Sequence, residues 1–267
     1  MFAQVHSRGL NNILSFESAT PYDNWELWRD IRTLPLEEQK ARLGDPATKA
    51  KLVEIANRKY TGPRIVGAEI RPPDWHYVFP MVDMSYDTPS MAQIAKEKGV
   101  DPVELMIDMA LERDLKMFFR APIANENQDH VLEMIKHPRS VVTFSDSGAH
   151  VSQIMDSSLQ THLLSHWVRE KEALTLEEAV KQITYNTATL WGLHDRGLLR
   201  EGMAADVVVF DPDTIGPNMP EVLNDLPAGA RRLKQTASGI LNTVVNGEIL
   251  LTDNEYSGAT AGRLLRS

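Results

Sequence analysis

The chain contains no cysteine. Disulfide staples and thiolate metal ligands are therefore excluded, and any metal must be held by His, Asp, Glu, a modified Lys or the backbone. No apolar run approaches the roughly 18 residues of a membrane span. Met1-Phe2-Ala3-Gln4-Val5-His6 lacks the basic start and long apolar stretch of a secretory leader, so a cytoplasmic protein is the default expectation. A Gly-rich phosphate loop, a nucleophile elbow and a His-x-His pair are all missing. Positive charge is in deficit: 28 Lys and Arg face 37 Asp and Glu, a net charge of −9, with the two signs interleaved. Such a chain repels a phosphate backbone, which argues against nucleic acid as a partner.

What is present is an ordinary globular composition. The 267 residues are 42% hydrophobic and 24% charged, enough to build a real core in one large domain, or in one domain plus a smaller appendage. The chain opens directly on a strand-like run at residues 2–6, without a cap, and reads like the interior of something longer.

Residues 1 to about 195 alternate strand and helix signals, which suggests parallel α/β. Strands are expected at 2–6, 65–70, 77–82, 116–120 and 141–144. Helices are expected at 36–43, after Pro35, and from Asp45-Pro46 to about 59. Others are expected at 89–98, at 102–115 with a helical apolar stripe, and at 128–136, 158–170 and 175–185. The last opens on a capping box, Thr175-Leu176-Glu177-Glu178. From Gly197 the texture becomes β: a strand at 206–210, then a hairpin over 242–251 turning at Asn246-Gly247, a pair suited to positive φ. A boundary near 195–200 is the best placement.

The strand at 141–144 runs straight into Ser145-Asp146. In a (β/α)8 barrel, residues at C-terminal strand ends face the active site. A carboxylate there can bind a metal, or relay a proton from metal-bound water to a leaving group. Ser-Asp-Ser-Gly is equally a natural turn sequence, and spacing alone leaves both readings open. His150 could contact substrate, contact metal or brace the loop. His6 ends the first strand and could point into a barrel mouth. Arg120, at a strand end, could hold a carboxylate bidentately or serve a structural ion pair. His162 and His166 sit four apart, a spacing able to bind zinc. The intervening Leu163-Leu164-Ser165 lacks a glutamate, so packing or surface roles are expected. His76 reads as loop packing, and His130, His137 and His194 are assigned no chemistry.

The tail is more specific. Arg196-Gly197-Leu198-Leu199-Arg200-Glu201-Gly202-Met203-Ala204-Ala205-Asp206, continuing to Asp211, resembles the closing motif of the amidohydrolase superfamily, and Val244-Val245-Asn246-Gly247 the hairpin that follows it. Further stretches resemble one branch, the D-aminoacylase or N-acyl-D-amino-acid deacylase group. These are Ser145-Asp146-Ser147-Gly148-Ala149-His150, residues 174–180, Leu226-Pro227-Ala228-Gly229-Ala230, residues 252–266, and Gln4-Val5-His6-Ser7-Arg8 with the Trp-rich loop after it.

The resemblance implies the C-terminal portion of a (β/α)8 TIM-like, metal-dependent hydrolase barrel over residues 1–195. A lid-like insertion would span about 20–115, and a small β-sandwich domain 196–267. It implies a zinc-activated water attacking the amide of an N-acyl (D-)amino acid or a similar small amide. Asp146 would be the catalytic acid/base and a metal ligand, with His6 a possible second ligand and Arg120, Asn125 and His150 holding substrate. Members of that branch run to about twice this length and carry their His-x-His pair on the first barrel strand. This chain would then hold only the C-terminal half of a site, and need the missing N-terminal half, a companion chain or self-association. A non-catalytic remnant acting as a scaffold or binding protein is the alternative.

Overall fold

The structure, a computed structural model, describes residues 1–63, 67, 70–145 and 147–264, with Asp156 described by its backbone alone. Its fold is mixed α/β. Strand β1 (Ala3–Val5) ends in a buried turn, and β2 (Leu10–Leu14) follows it at once. Three helices come next: α1 (Glu26–Arg32), α2 (Leu36–Gly44) and α3 (Pro46–Ala56). The Asp45 carboxylate accepts from Thr48 N, and Pro46 fills the first turn, where no N–H is needed. Strand β3 (Phe79–Met81) leads to α4 (Met91–Lys98) and α5 (Pro102–Leu111). Ser90 and Gln93 form a reciprocal capping box on α4, and Gly99 ends it at φ 68°. Strand β4 (Phe118–Ala124) then inserts between β2 and β3 to give an antiparallel sheet of order β2-β4-β3. Trp28, Leu43, Leu52, Met106, Ile107, Leu115 and Phe119 form the heart of a core that joins these helices to that sheet.

The chain returns through α6 (Gln128–Lys136) to β5 (Ser140–Val142), which pairs in parallel with β1, Val5 opposite Val142. Among the described residues this is the only parallel pairing, and each of its strands has one neighbour. Val5, Val142, Val131 and Ile135 pack with Leu163 and Trp167 in a second core. Those last two lie on a helix that starts as α7 (Leu159–His162) and widens to π-helical geometry over Leu163–Glu170. Helix α8 (Leu176–Lys181), capped by the expected Thr175–Glu178 box, widens in the same way over Gln182–Asn186 before α9 (Thr187–Leu190).

The C-terminal part is β throughout. Strands β6 (Val207–Phe210), β11 (Ile240–Val245), β12 (Glu248–Thr252) and β13 (Glu255–Tyr256) form an antiparallel sheet of order β13-β12-β11-β6. Strands β7 (Gly216–Pro217) and β10 (Ala237–Ser238) pair briefly. Between them β8 (Glu221–Leu226) and β9 (Ala230–Lys234) make a hairpin. No described helix is long and apolar enough to cross a membrane.

Two expectations change. The N-terminal region is not uniformly parallel, because β2, β3 and β4 pair antiparallel. Arg120 is not a strand end: β4 continues to Ala124 against β2, and Pro122 is tolerated because β3 stops opposite Arg120. The strand expected at 65–70 falls mostly outside the described residues.

Candidate active site

The turn after β1 places His6, Ser7 and Arg8 in the interior, each at most 1% exposed. The Ser7 hydroxyl donates to Leu159 O at 2.6 Å, and Trp167 Nε1 donates to Ser7 O at 2.6 Å. These bonds tie the turn to the α7 helix. The His6 Nδ1 accepts from Arg8 N at 3.1 Å. A neutral His6 therefore carries its proton on Nε2.

Arg8 extends beneath Tyr86. Its Nε donates to Tyr86 Oη at 3.1 Å and its Nη1 to Ser158 Oγ at 2.5 Å. Its Nη2 is buried with no hydrogen-bond partner among the described residues. Asn11 Nδ2 also donates to Tyr86 Oη, at 3.2 Å. Arg120 lies over the Tyr86 ring at 3.6 Å and near the Phe79 ring at 5.1 Å, a cation–π arrangement, while the Arg8 guanidinium is 6.0 Å from the Tyr86 centroid. Burial pushes the Arg120 pKa below the ordinary arginine value, and Arg8 adds to the effect. Two guanidinium groups thus lie against one phenol, both buried, and neither forms an ion pair among the described residues.

His162 and His166 complete this cluster. Both are 2% exposed. Their rings stack on each other and each packs on Tyr86, at 4.8 and 5.4 Å respectively. Positions four apart share one face of the helix, which brings the two rings together. His166 Nδ1 meets Glu170 Oε2 at 3.0 Å, and the Nε2 atoms of both rings are buried without partners among the described residues. Burial lowers the pKa of both, most strongly that of His162, where Arg8 adds repulsion; Glu170 opposes the shift at His166. The histidines open onto a cleft of about 350 Å³, also lined by Asp83, Ser85, Glu170 and Asn218.

The sequence-derived candidates separate in space. Arg120 lies in the cluster. Asn125, at φ 60°, donates through Nδ2 to Arg8 O at 3.4 Å and so braces the turn. His150 is exposed, at φ 50°, and its ring makes no hydrogen bond among the described residues. Asp146 lies outside the described residues. Arg8, Tyr86 and Ser158 were not read as site residues. Tyr86 sits in a loop with no local signal, and its role depends on three distant segments. The spacing of His162 and His166 was visible, but an amphipathic helix gave no reason to prefer chemistry over packing.

No group of three or more His, Asp or Glu among the described residues could hold a metal ion. A ligating histidine donates its second ring N–H to an acceptor. The Arg8 N–H instead occupies His6 Nδ1 and leaves the proton on Nε2. The described residues therefore do not by themselves fit a metal centre.

Residues 80–251 match the amidohydrolase family. The D-aminoacylase of Alcaligenes xylosoxydans xylosoxydans is 35% identical over 103 residues, 39% of this chain and 19% of that protein. The N-acyl-D-glutamate deacylase of the same organism is 54% identical over 55 residues, 21% of this chain and 11% of that protein. A solved D-aminoacylase, described for its binuclear metal center, overlays at TM-score 0.43 with 24% identity, covering 71% of this chain and 38% of that one. The chain thus matches well under half the length of these relatives. It belongs to the amidohydrolase family and, within it, resembles the D-aminoacylase and N-acyl-D-amino-acid deacylase group.

Proposed function

We propose that this chain carries the C-terminal half of a hydrolase site that cleaves the C–N amide bond of an N-acyl amino acid of D configuration. One observation carries the reading: Arg8 and Arg120 are both buried against Tyr86, and neither pairs with a carboxylate among the described residues. A buried guanidinium is costly unless it meets an anion, and Arg8 retains an unused N–H donor. An N-acyl amino acid supplies the missing carboxylate. Bidentate pairing with either arginine would fix the substrate while leaving its amide free to reach the catalytic groups. Asn125 contributes by holding the Arg8 backbone, and His150 is the candidate contact on the exposed side.

Asp146 is the proposed acid/base, taking a proton from the attacking water and passing it to the leaving amine. A metal, zinc being the one to test, would polarise the amide carbonyl and activate the water when bound. This chain would offer it Asp146, and His6 only after the Arg8 N–H bond opens. The remaining ligands would come from polypeptide outside this sequence. The same reading takes residues 1–195 as part of a (β/α)8 barrel, with 20–115 as a lid-like insertion and 196–267 as a small β-sandwich. Among the described residues β1 and β5 have one strand neighbour each, which supports it, since parallel strands ordinarily lie within larger sheets covered on both faces.

The test is zinc content and N-acyl-D-amino-acid hydrolysis, with and without the polypeptide encoded immediately upstream. The pair is expected to bind zinc and hydrolyse, and this chain alone to do neither. Hydrolysis by this chain alone overturns the half-site. Inactivity of the reconstituted pair favours a non-catalytic scaffold.

A further inference from the structure

Leu226-Pro227-Ala228-Gly229-Ala230 forms the turn of the β8–β9 hairpin, with Ala228 at φ 59° and Gly229 at φ 70°. The hairpin pairs with no strand of the four-stranded sheet among the described residues. Val222 and Leu233, paired across it, lie on a cluster of Ile13, Met81, Phe118 and Met155. Cross-strand ion pairs, Arg232–Asp225 at 2.7 Å and Lys234–Glu221 at 3.2 Å, tie the two strands together.

Its contact partner is the loop that follows Asp146 in sequence. Leu233 N donates to Val151 O at 2.8 Å. On the loop's other side Ile13 N donates to Gln153 O at 2.8 Å, and Asn12 bridges Ile154 in antiparallel fashion. Residues 151–154 are therefore held between the hairpin and β2. Inside the loop, the His150 carbonyl accepts from Gln153 N and Ile154 N, which closes a turn around a non-glycine residue at φ 50°. Left-handed backbone at such a residue is strained and persists only where neighbours over-determine it.

We propose that the β8–β9 hairpin is a positioning element: Leu233 and Val222 hold the 147–155 loop so that the turn carrying His150 keeps its strained conformation. The clamp stands on geometry alone, whereas its service to catalysis rests on the amide-hydrolase reading above. Residues of the C-terminal β region then act on the site without touching substrate.

Hydrogen exchange read by mass spectrometry tests the clamp on the full chain. Leu233→Ala is expected to speed exchange of the 147–155 amides about tenfold, while those of α6 keep their rates. Leu233→Ile is expected to restore protection. Leu251→Ala, in β12, should loosen its own sheet and leave 147–155 unchanged. Should Leu233→Ala fail to fold, Val222→Ala reports in its place. Unchanged exchange at 147–155, or equal acceleration by Leu251→Ala, overturns the proposal. In any preparation that hydrolyses an N-acyl-D-amino acid, Leu233→Ala should lower kcat about tenfold or more with KM within about twofold, as expected when a catalytic loop is displaced. A rise in KM alone overturns the positioning role. An absence of hydrolysis alongside the expected exchange pattern counts against the hydrolase reading and leaves the clamp standing.

Discussion

His162 and His166 stack with ring centroids 4.8 Å apart and planes inclined by only 16°. The pair lies inside the protein, against Tyr86 and close enough to Arg8 and Arg120 for their charges to oppose protonation of His162. Two parallel imidazoles direct their in-plane lone pairs side by side, which suits packing better than joint ligation of one ion. Their shared burial makes pH the natural probe.

Folded His162 stays neutral below its ordinary pKa because burial, then Arg8, penalises the charged form. The unfolded chain binds that proton below about pH 6.5. This contribution to stability is therefore complete above pH 6.5 and lost as pH falls, at about 1.4 kcal/mol per pH unit until the folded-state pKa is reached. Thermal melts at pH 7.5, 6.5 and 5.5 should show the native chain losing more stability than His162→Gln. Parallel losses in the two proteins would refute the assignment.

Ile107 is fully buried on α5 at the centre of the largest core, among Trp28, Leu43, Leu52 and Leu115. Truncation to alanine should cost about 2–5 kcal/mol, the usual range for large-to-small changes in a closed core. Urea denaturation followed by Trp fluorescence measures it. A cost under about 1 kcal/mol would mean that the 20–115 segment packs loosely, as a mobile lid would.

Much of this architecture was legible from local chemistry. Asp45-Pro46, Ser90 with Gln93, Asp101-Pro102 and Thr175 with Glu178 all cap helices where their patterns place them. Asn246-Gly247 turns its hairpin between β11 and β12. Pairing was less legible. The run at 118–124 reads as a strand, but nothing local says that it runs antiparallel to Leu10–Leu14, about a hundred residues away. Strand β2, Leu10-Asn11-Asn12-Ile13-Leu14, was missed because buried asparagines hide the apolar pattern; Asn11 Nδ2 donates to Gly9 O and Tyr86 Oη. The site shows the same division. Arg120 could be named from its residue type, whereas Arg8 and Tyr86 gain meaning only once residues 8, 86, 120, 158 and 162 converge.

Asp87 and Lys171 form an ion pair at 2.7 Å that fastens the loop bearing Tyr86 to the end of the π-helical stretch. Both side chains are well exposed, so the pair should contribute about 0.2–1 kcal/mol and weaken with salt. Asp87→Asn should leave the melting temperature nearly unchanged while raising amide exchange in residues 83–87 at low ionic strength. At about 1 M salt, where screening acts within roughly 3 Å, the native chain should exchange like the variant. A gap that persists at high salt would show that packing, not charge, holds this loop.

Arg120 gives the sharpest separation of stability from binding. Arg120 has 4% relative exposure, and its guanidinium rests on Tyr86 and Phe79 with no ion pair among the described residues. Removing an uncompensated buried charge is often neutral or stabilising. Arg120→Met, which keeps the side chain's length and apolar stem, should therefore melt within a few degrees of the native chain or above it. The same change should abolish recognition of an anion. Calorimetric titration with an N-acetyl-D-amino acid should show binding to the native chain and affinity at least about 30-fold weaker for Arg120→Met, the scale expected when one partner of a buried charged pair is lost. The N-acetyl-D-amino-acid amide, which lacks the carboxylate, should bind the two proteins equally. Tight binding of the acid by Arg120→Met would show that Arg120 is a structural cation held by its aromatic neighbours, and would leave the unused Nη2 of Arg8 as the sole candidate anchor.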